Sequence, residues 1–203
     1  MKRILVLTIA ALFSWNVTVA AMPFSLRDMA DIVPEWPVTT SEAGGLFLFS
    51  DSPEEFFSEG ILYQDKVKGS TRLFFHHVNG TQEKKRVVVF LTNRGATPAK
   101  IEVERYGVSK PDHDYLRAGR AIQADYFQGI KPFKLVVAAN SSIVLQDRKP
   151  IPVVWPKAIM TGMIDFSSDQ EVQLTVAAIG ESGDPAVQLN QLVVLPPGKP
   201  HLR

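Results

Sequence analysis

The chain has 203 residues, with 22 Lys and Arg against 21 Asp and Glu, and no cysteine. Near-neutral charge gives no electrostatic footprint for nucleic acid, which rewards clustered Lys and Arg. Without cysteine, stability comes from packing rather than from disulfides or thiolate-metal sites, and the length fits one domain able to bury roughly two thirds of its unfolded surface.

The first residues, MKRILVLTIAALFSWNVTVAA, place Lys2 and Arg3 before an apolar run and end it on the small residues Ala20 and Ala21. This is the three-part pattern of a secretory signal peptide over 1–21; the competing reading is an uncut membrane anchor, for which the run, broken by Ser14, Asn16 and Thr18, is short. The expected product is exported to a periplasmic, cell-surface or extracellular address and is soluble once the signal is cleaved. Residues 22–45 read as an extended arm stopped from forming helix by Pro34 and Pro37, with Trp36 as its anchor, or as a disordered linker.

From residue 46 the pattern is that of short strands. LFLFS follows Gly44 and Gly45; Pro53, Glu54 and Glu55 suit one helical turn with acids at its positive end; ILYQDKV follows Gly60. Lys68, Gly69 and Ser70 then offer a hairpin connection into TRLFFHHVN, where period two sets Leu73, Phe75 and His77 against Arg72, Phe74, His76 and Val78. Large aromatic rings on both faces suit a central strand covered on each side along part of its length. RVVVFLTN is likewise apolar on both faces, whereas KIEVERY alternates Ile101 and Val103 with Glu102 and Glu104, a half-buried strand.

The period then changes. Tyr115, Ala118, Ile122 and Tyr126 recur at helical spacing, Ser109 with Asp112 matches a capping box, Pro111 suits a first turn and Gly129 an end, so one helix is expected over about 111–128. Gly119, in its middle, costs about 1 kcal/mol against alanine, which is tolerable if the backbone there approaches the sheet closely. Strands resume at FKLVV and SIVLQ; IMTGMIDF and EVQLTVAAI suit a hairpin across Ser167 to Gln170, and VQLNQLVVL a last strand before the proline-rich tail 196–203. Nine or so short strands with one helice-forming interruption point to a mainly β fold, a two-sheet antiparallel β-sandwich of immunoglobulin-like kind over 46–195 with one packed α-helix.

Chemistry is sparse. His76 and His77, as strand neighbours, point to opposite faces and cannot close on one metal ion. The carboxylates of Asp112 and Asp114 are explained by capping, and no calcium loop, phosphate loop, HExxH or Gly-x-Ser-x-Gly pattern occurs. No catalytic residue, metal ligand or cofactor is assigned. Most aromatic side chains are core; the remainder could line a groove for a glycan or peptide, and the candidate ligand contacts are Trp36, Tyr63, His77, Tyr115, Arg117 and Arg120.

SDSPE, GILYQDKVKG, LFFHHVNGT and DYLRAGRAIQADYF, within about Gly45 to Ala178, resemble a group of uncharacterised exported bacterial proteins often labelled after the N-terminal domain of copper amine oxidases. The resemblance implies an envelope or surface accessory domain. It does not imply amine oxidation, which needs three copper-binding histidines and a modified tyrosine; this chain has four histidines in all and no matching motif. The expectation is a noncatalytic exported protein that binds a cell-wall polysaccharide or an envelope protein. The alternatives are a structural subunit that forms homo-oligomers by strand or arm exchange, and an envelope polymer hydrolase.

Overall fold

A computed structural model describes residues 37–39, 41, 44–128, 132–145 and 151–198. The expected signal segment, Trp36, most of the expected arm and the last five residues lie outside the described residues. In chain order the elements are β1 (Leu46–Ser50), β2 (Glu55–Phe56), β3 (Gly60–Asn79), β4 (Lys85–Asn93), β5 (Ala99–Val108), α1 (Tyr115–Gln128), β6 (Phe133–Val137), β7 (Ser141–Val144), β8 (Ile159–Gly180) and α2 (Pro185–Leu189). The fold is mainly β, with α1 packed on it, and the eight strands form one hydrogen-bonded sheet rather than two separate ones.

The reason for a single sheet lies in β3 and β8. Both expected hairpins are continuous strands instead: β3 runs for 20 residues and β8 for 22, paired antiparallel from Gly60–Ala178 to Val78–Ile159. Where turns were expected the two strands carry facing irregularities, since the register passes from Val67–Val172 to Gly69–Ser168. Gly69 has φ 77°, a conformation that glycine adopts without a Cβ penalty, so Lys68-Gly69-Ser70 bends the strand as a bulge instead of reversing it.

The bend separates two halves of the ribbon, each with its own neighbours. Beyond it, β8 residues 162–168 pair with β5, which pairs with β6, while β3 residues 71–75 take β1 along their other side. Before it, β8 residues 173–180 pair with β4, which pairs with β7. β1 and β2 run parallel to β3, against the all-antiparallel expectation, and β2 replaces the expected helical turn at Glu54 and Glu55. One core joins side chains of both halves: Leu48, Leu73, Phe75, Ile164 and Phe166 from one, Val87, Val89, Leu91, Leu174 and Val176 from the other. On the opposite face of β4, Val88 and Phe90 lie beside Ala177 and Ile179 of β8 and are covered by Ile151, Leu189 and Leu192, which explains its apolar residues on both faces.

Helix α1 lies across the outer face of β5 and β8. A Cβ on Gly107 would sit 2.5 Å from the Ile122 carbonyl oxygen, so this glycine admits the helix backbone. Gly119 makes no such approach, because a Cβ there would meet nothing within 4 Å. The helix begins later than the sequence pattern suggests. The Ser109 backbone N–H donates to the Thr161 carbonyl, and Asp112 exchanges backbone hydrogen bonds with Ile159 of β8, which holds 109–112 extended. The cap is therefore Asp114, whose Oδ1 accepts the Arg117 backbone N–H at 3.0 Å. Ser109 Oγ instead accepts from the Thr161 backbone N–H, and Asp112 Oδ1 from that of Asp114.

The last expected strand is also different. Asp184 caps α2 by accepting from Ala186 N–H at 2.7 Å, with Pro185 in the first turn, so the Asp-Pro pair starts a helix where an edge strand was expected. Only Val193 to Leu195 touch the sheet edge, through backbone bonds to Ile61.

Candidate functional site

A cleft of about 680 Å³ opens on the outer face of the β3–β8–β4–β7 half. Its floor follows from register. Lys66 stands opposite Gln173, Gln173 opposite Thr92, and Thr92 opposite Ser142, so one cross-strand row carries polar side chains over four strands. Opposite residues of neighbouring strands share a face. Gln64 and Thr175 form the start of the next row, and Ile61, Leu189, Asn190 and Leu192 close one end.

The floor is wired by its own side chains. Gln64 Nε2 donates to Thr175 Oγ1 at 3.0 Å, Thr92 and Ser142 hydroxyls lie 2.7 Å apart, and Arg94 Nε donates to Gln173 Oε1 at 3.0 Å. These bonds hold the groups in place, and each hydroxyl and amide keeps further donor or acceptor capacity. Among the described residues the lining carries Arg94 and no carboxylate, and Lys66, at the end of the floor row, is paired with Glu171 at 3.1 Å. Such a surface suits a neutral or weakly anionic polyhydroxylated ligand.

A second exposed feature is an aromatic row on the other half. Phe47 and Phe49 of β1 are 61% and 50% exposed; Phe49 lies 5.3 Å from Phe74, Phe74 lies 6.4 Å from His76, and His76 meets the edge of Tyr115 at 6.5 Å, all between ring centroids. Nearby, Arg72 grips Asp165 with two bonds of 2.7 and 2.8 Å, and Tyr126 of α1 donates to the same carboxylate at 2.6 Å. Burial pushes the Asp165 carboxyl up, but the bonds from Arg72 and Tyr126 outweigh it and hold the group below the usual range.

The expected ligand contacts do not form one site. Trp36 lies outside the described residues. Tyr63 is half-buried and donates to Asp65 at 3.1 Å; burial first, then the Asp65 charge, raise its hydroxyl to about 12. Tyr115 and Arg120 are exposed on α1, and Arg117 is tied to Asp112. His77 is fully buried, and His76 faces outward from the same strand, as strand alternation requires.

His77 forms the closest approach to a nucleophile and base. Its Nδ1 is 2.9 Å from the Pro53 carbonyl and its Nε2 2.8 Å from Ser50 Oγ. A carbonyl only accepts, so Nδ1 carries the proton and Nε2 accepts from the Ser50 hydroxyl. Both residues are at most 1% exposed, which denies this pair a substrate. Among the described residues no group of three or more His, Cys, Asp or Glu is placed to hold a metal ion.

Sequence reading passed over Gln64, Thr92, Arg94, Ser142, Gln173 and Thr175. A signal was present: Gln173 and Thr175 are the polar positions alternating with Val172, Leu174 and Val176, and Thr92 ends an apolar run. What joins them is register between distant strands, which spacing along the chain does not encode. No family model, no curated protein and no solved structure matches this chain.

Proposed function

We propose that this is a noncatalytic exported envelope or cell-surface protein that binds a cell-wall glycan in the polar cleft. The observation that carries the reading is the row of Gln173, Thr92 and Ser142, with no carboxylate among the described lining residues, in a cleft of about 680 Å³, a size able to take two or three sugar rings. Each hydroxyl of a sugar needs both a donor and an acceptor, and Gln, Asn, Ser and Thr supply both. The resemblance to exported envelope proteins agrees with this role. We infer as well that the bent sheet closes on itself as a sandwich, a reading supported by the core that both halves share.

The test is calorimetric titration of the purified protein with soluble wall-glycan fragments, alongside the double variant Thr92→Val and Gln173→Leu. Both positions face the cleft, so the variant is expected to fold and to bind roughly tenfold or more weakly, at about 1 kcal/mol per lost hydrogen bond. Equal binding by both proteins, or none by the wild type, removes the cleft as the glycan site.

The second reading, assembly, is favoured by a different observation: β1 is an uncharged edge with exposed rings. For an envelope hydrolase the nearest geometry is Ser50 with His77, and its burial argues against that role.

A further inference from the structure

We propose that two copies of this protein associate by antiparallel pairing of their β1 strands, with the two-fold axis passing beside Leu48. The inference deepens the assembly reading and is independent of the glycan cleft, which lies on the other half of the β3–β8 ribbon.

Four observations lead there. First, among the described residues β1 pairs only with β3, so the row of backbone donors and acceptors on its other side has no strand against it. Secondly, this edge lacks the usual protection. LFLFS contains no charge, no proline and no glycine, whereas the edge strand β6 carries the exposed Lys134. Thirdly, Phe47-Leu48-Phe49 reads alike in both directions. An antiparallel copy centred on Leu48 sets Phe47 against the second copy's Phe49 and each Leu48 against the other, so outward rings meet outward rings and inward leucines meet inward leucines. A foreign strand would have to supply that alternation; a second copy has it by construction.

Fourthly, the row of rings is continued by this register. Within one copy Phe74 stands beside Phe49, at 5.3 Å between ring centroids. Across the axis Phe49 meets Phe47 of the second copy, which extends Phe74 and Phe49 into a three-ring row on each side. On the inner face Leu73 and Leu48 of one copy are followed by Leu48 and Leu73 of the other, because Leu48 is paired with Leu73 in β1–β3. The symmetry is that of an isologous interface, with the same patch on both partners.

Area sets the strength. With Phe47 61% and Phe49 50% exposed, the four rings offer roughly 400 Å² between the two copies. That is about a third of the roughly 1,200 Å² at the lower end of stable interfaces, so the backbone ledge and flanking side chains such as Leu46 must supply the rest. A reversible dimer follows, with dissociation in the range of about 1–100 μM.

Sedimentation equilibrium on the purified protein over that concentration range reads the association directly. Register is tested by charge. Phe47→Lys with Phe49→Lys brings like charges together across the axis and is expected to weaken association at least about tenfold. Phe47→Glu with Phe49→Lys brings unlike charges together and is expected to recover part of it. All three substitutions are at exposed positions, and an unchanged thermal midpoint shows that the fold is retained. Three results overturn the proposal: a wild type that stays monomeric throughout, association indifferent to the double lysine variant, and the two double variants weakened equally. In a monomeric wild type, slow exchange at the β1 amides that point away from β3 assigns the edge to the chain's own residues, and fast exchange there leaves it for a strand of another protein; both exclude the dimer.

Discussion

Acid should destabilise this protein through His77, by an amount that can be worked out. The imidazole is sealed in the core, with the Ser50 hydroxyl and the Pro53 carbonyl on its two nitrogens. Burial chiefly, with the neighbouring His76 charge and despite the Pro53 bond, lowers its pKa from 6.5 to about 4. The folded chain therefore holds the ring neutral in a range where the unfolded chain protonates it. The unfolded state then binds more protons, so stability is full above the unfolded value of 6.5 and falls as the pH drops towards the folded value of about 4. Linkage gives a loss of about 2 kcal/mol at about pH 5 and about 3 kcal/mol once the folded value is passed. Carboxylates titrate at the acid end of this window, so the assay is a difference. Urea midpoints are compared for the wild type and His77→Gln between about pH 7 and about pH 5. The variant loses packing and one hydrogen bond and starts lower, but its curve should be flatter by about 2 kcal/mol over that span. Parallel curves for the two proteins, or a His77 ring that titrates near 6.5 by NMR in the folded state, would refute the reasoning.

Three further outcomes test other parts of the fold. Gly107→Ala places a Cβ 2.5 Å from the Ile122 carbonyl and 3.1 Å from the Tyr126 Cβ, so α1 must lift from β5; thermal unfolding should report about 1–3 kcal/mol of lost stability, while Gly119→Ala should be neutral or stabilising by up to about 1 kcal/mol. Asp165→Asn removes the charge held by Arg72 and Tyr126 and should cost about 1–2 kcal/mol at neutral pH. Because the folded pKa of Asp165 lies below 3.8, that contribution is present above 3.8 and disappears as the pH falls through the folded value, so the wild-type and variant denaturation curves should converge in strong acid. Asp114→Ala removes the cap of α1 and should cost about 1 kcal/mol in chemical denaturation, an effect that Asp112→Ala should not reproduce through the helix end.

Much of the strand content was legible because inward alternation is written locally. Leu73, Phe75 and His77 do face the core together, and Val87, Val89 and Leu91 oppose Val88 and Phe90 across β4. The helix stripe of Ala118, Ile122 and Tyr126 is the buried one. Errors gathered at the junctions. Lys68-Gly69-Ser70 and Ser167 to Gln170 have turn composition, yet each is a bend within one strand, because the two segments face each other and the ladder between them resumes on both sides. The Ser109 and Asp112 pattern matched a cap, but both residues are held by β8 backbone, a partner fifty residues away in the chain that no local motif can announce.

The candidate site was the least legible part. Arg117 and Tyr115 stood out as conspicuous side chains, whereas the cleft is made of ordinary amides and hydroxyls distinguished by the rows they share across neighbouring strands. By itself the sequence determined which residues turn inward, where one helix replaces the strand pattern, and that no thiol chemistry is open to the chain. Tertiary structure alone decided that two apparent hairpins are two long bent strands, that Ser50 and His77 meet out of reach of solvent, and that a polar cleft opens at Gln64 and Gln173. The physical reason is that burial periodicity is a property of neighbouring residues, while register, bulging and concavity depend on which distant strand supplies the opposing hydrogen bonds.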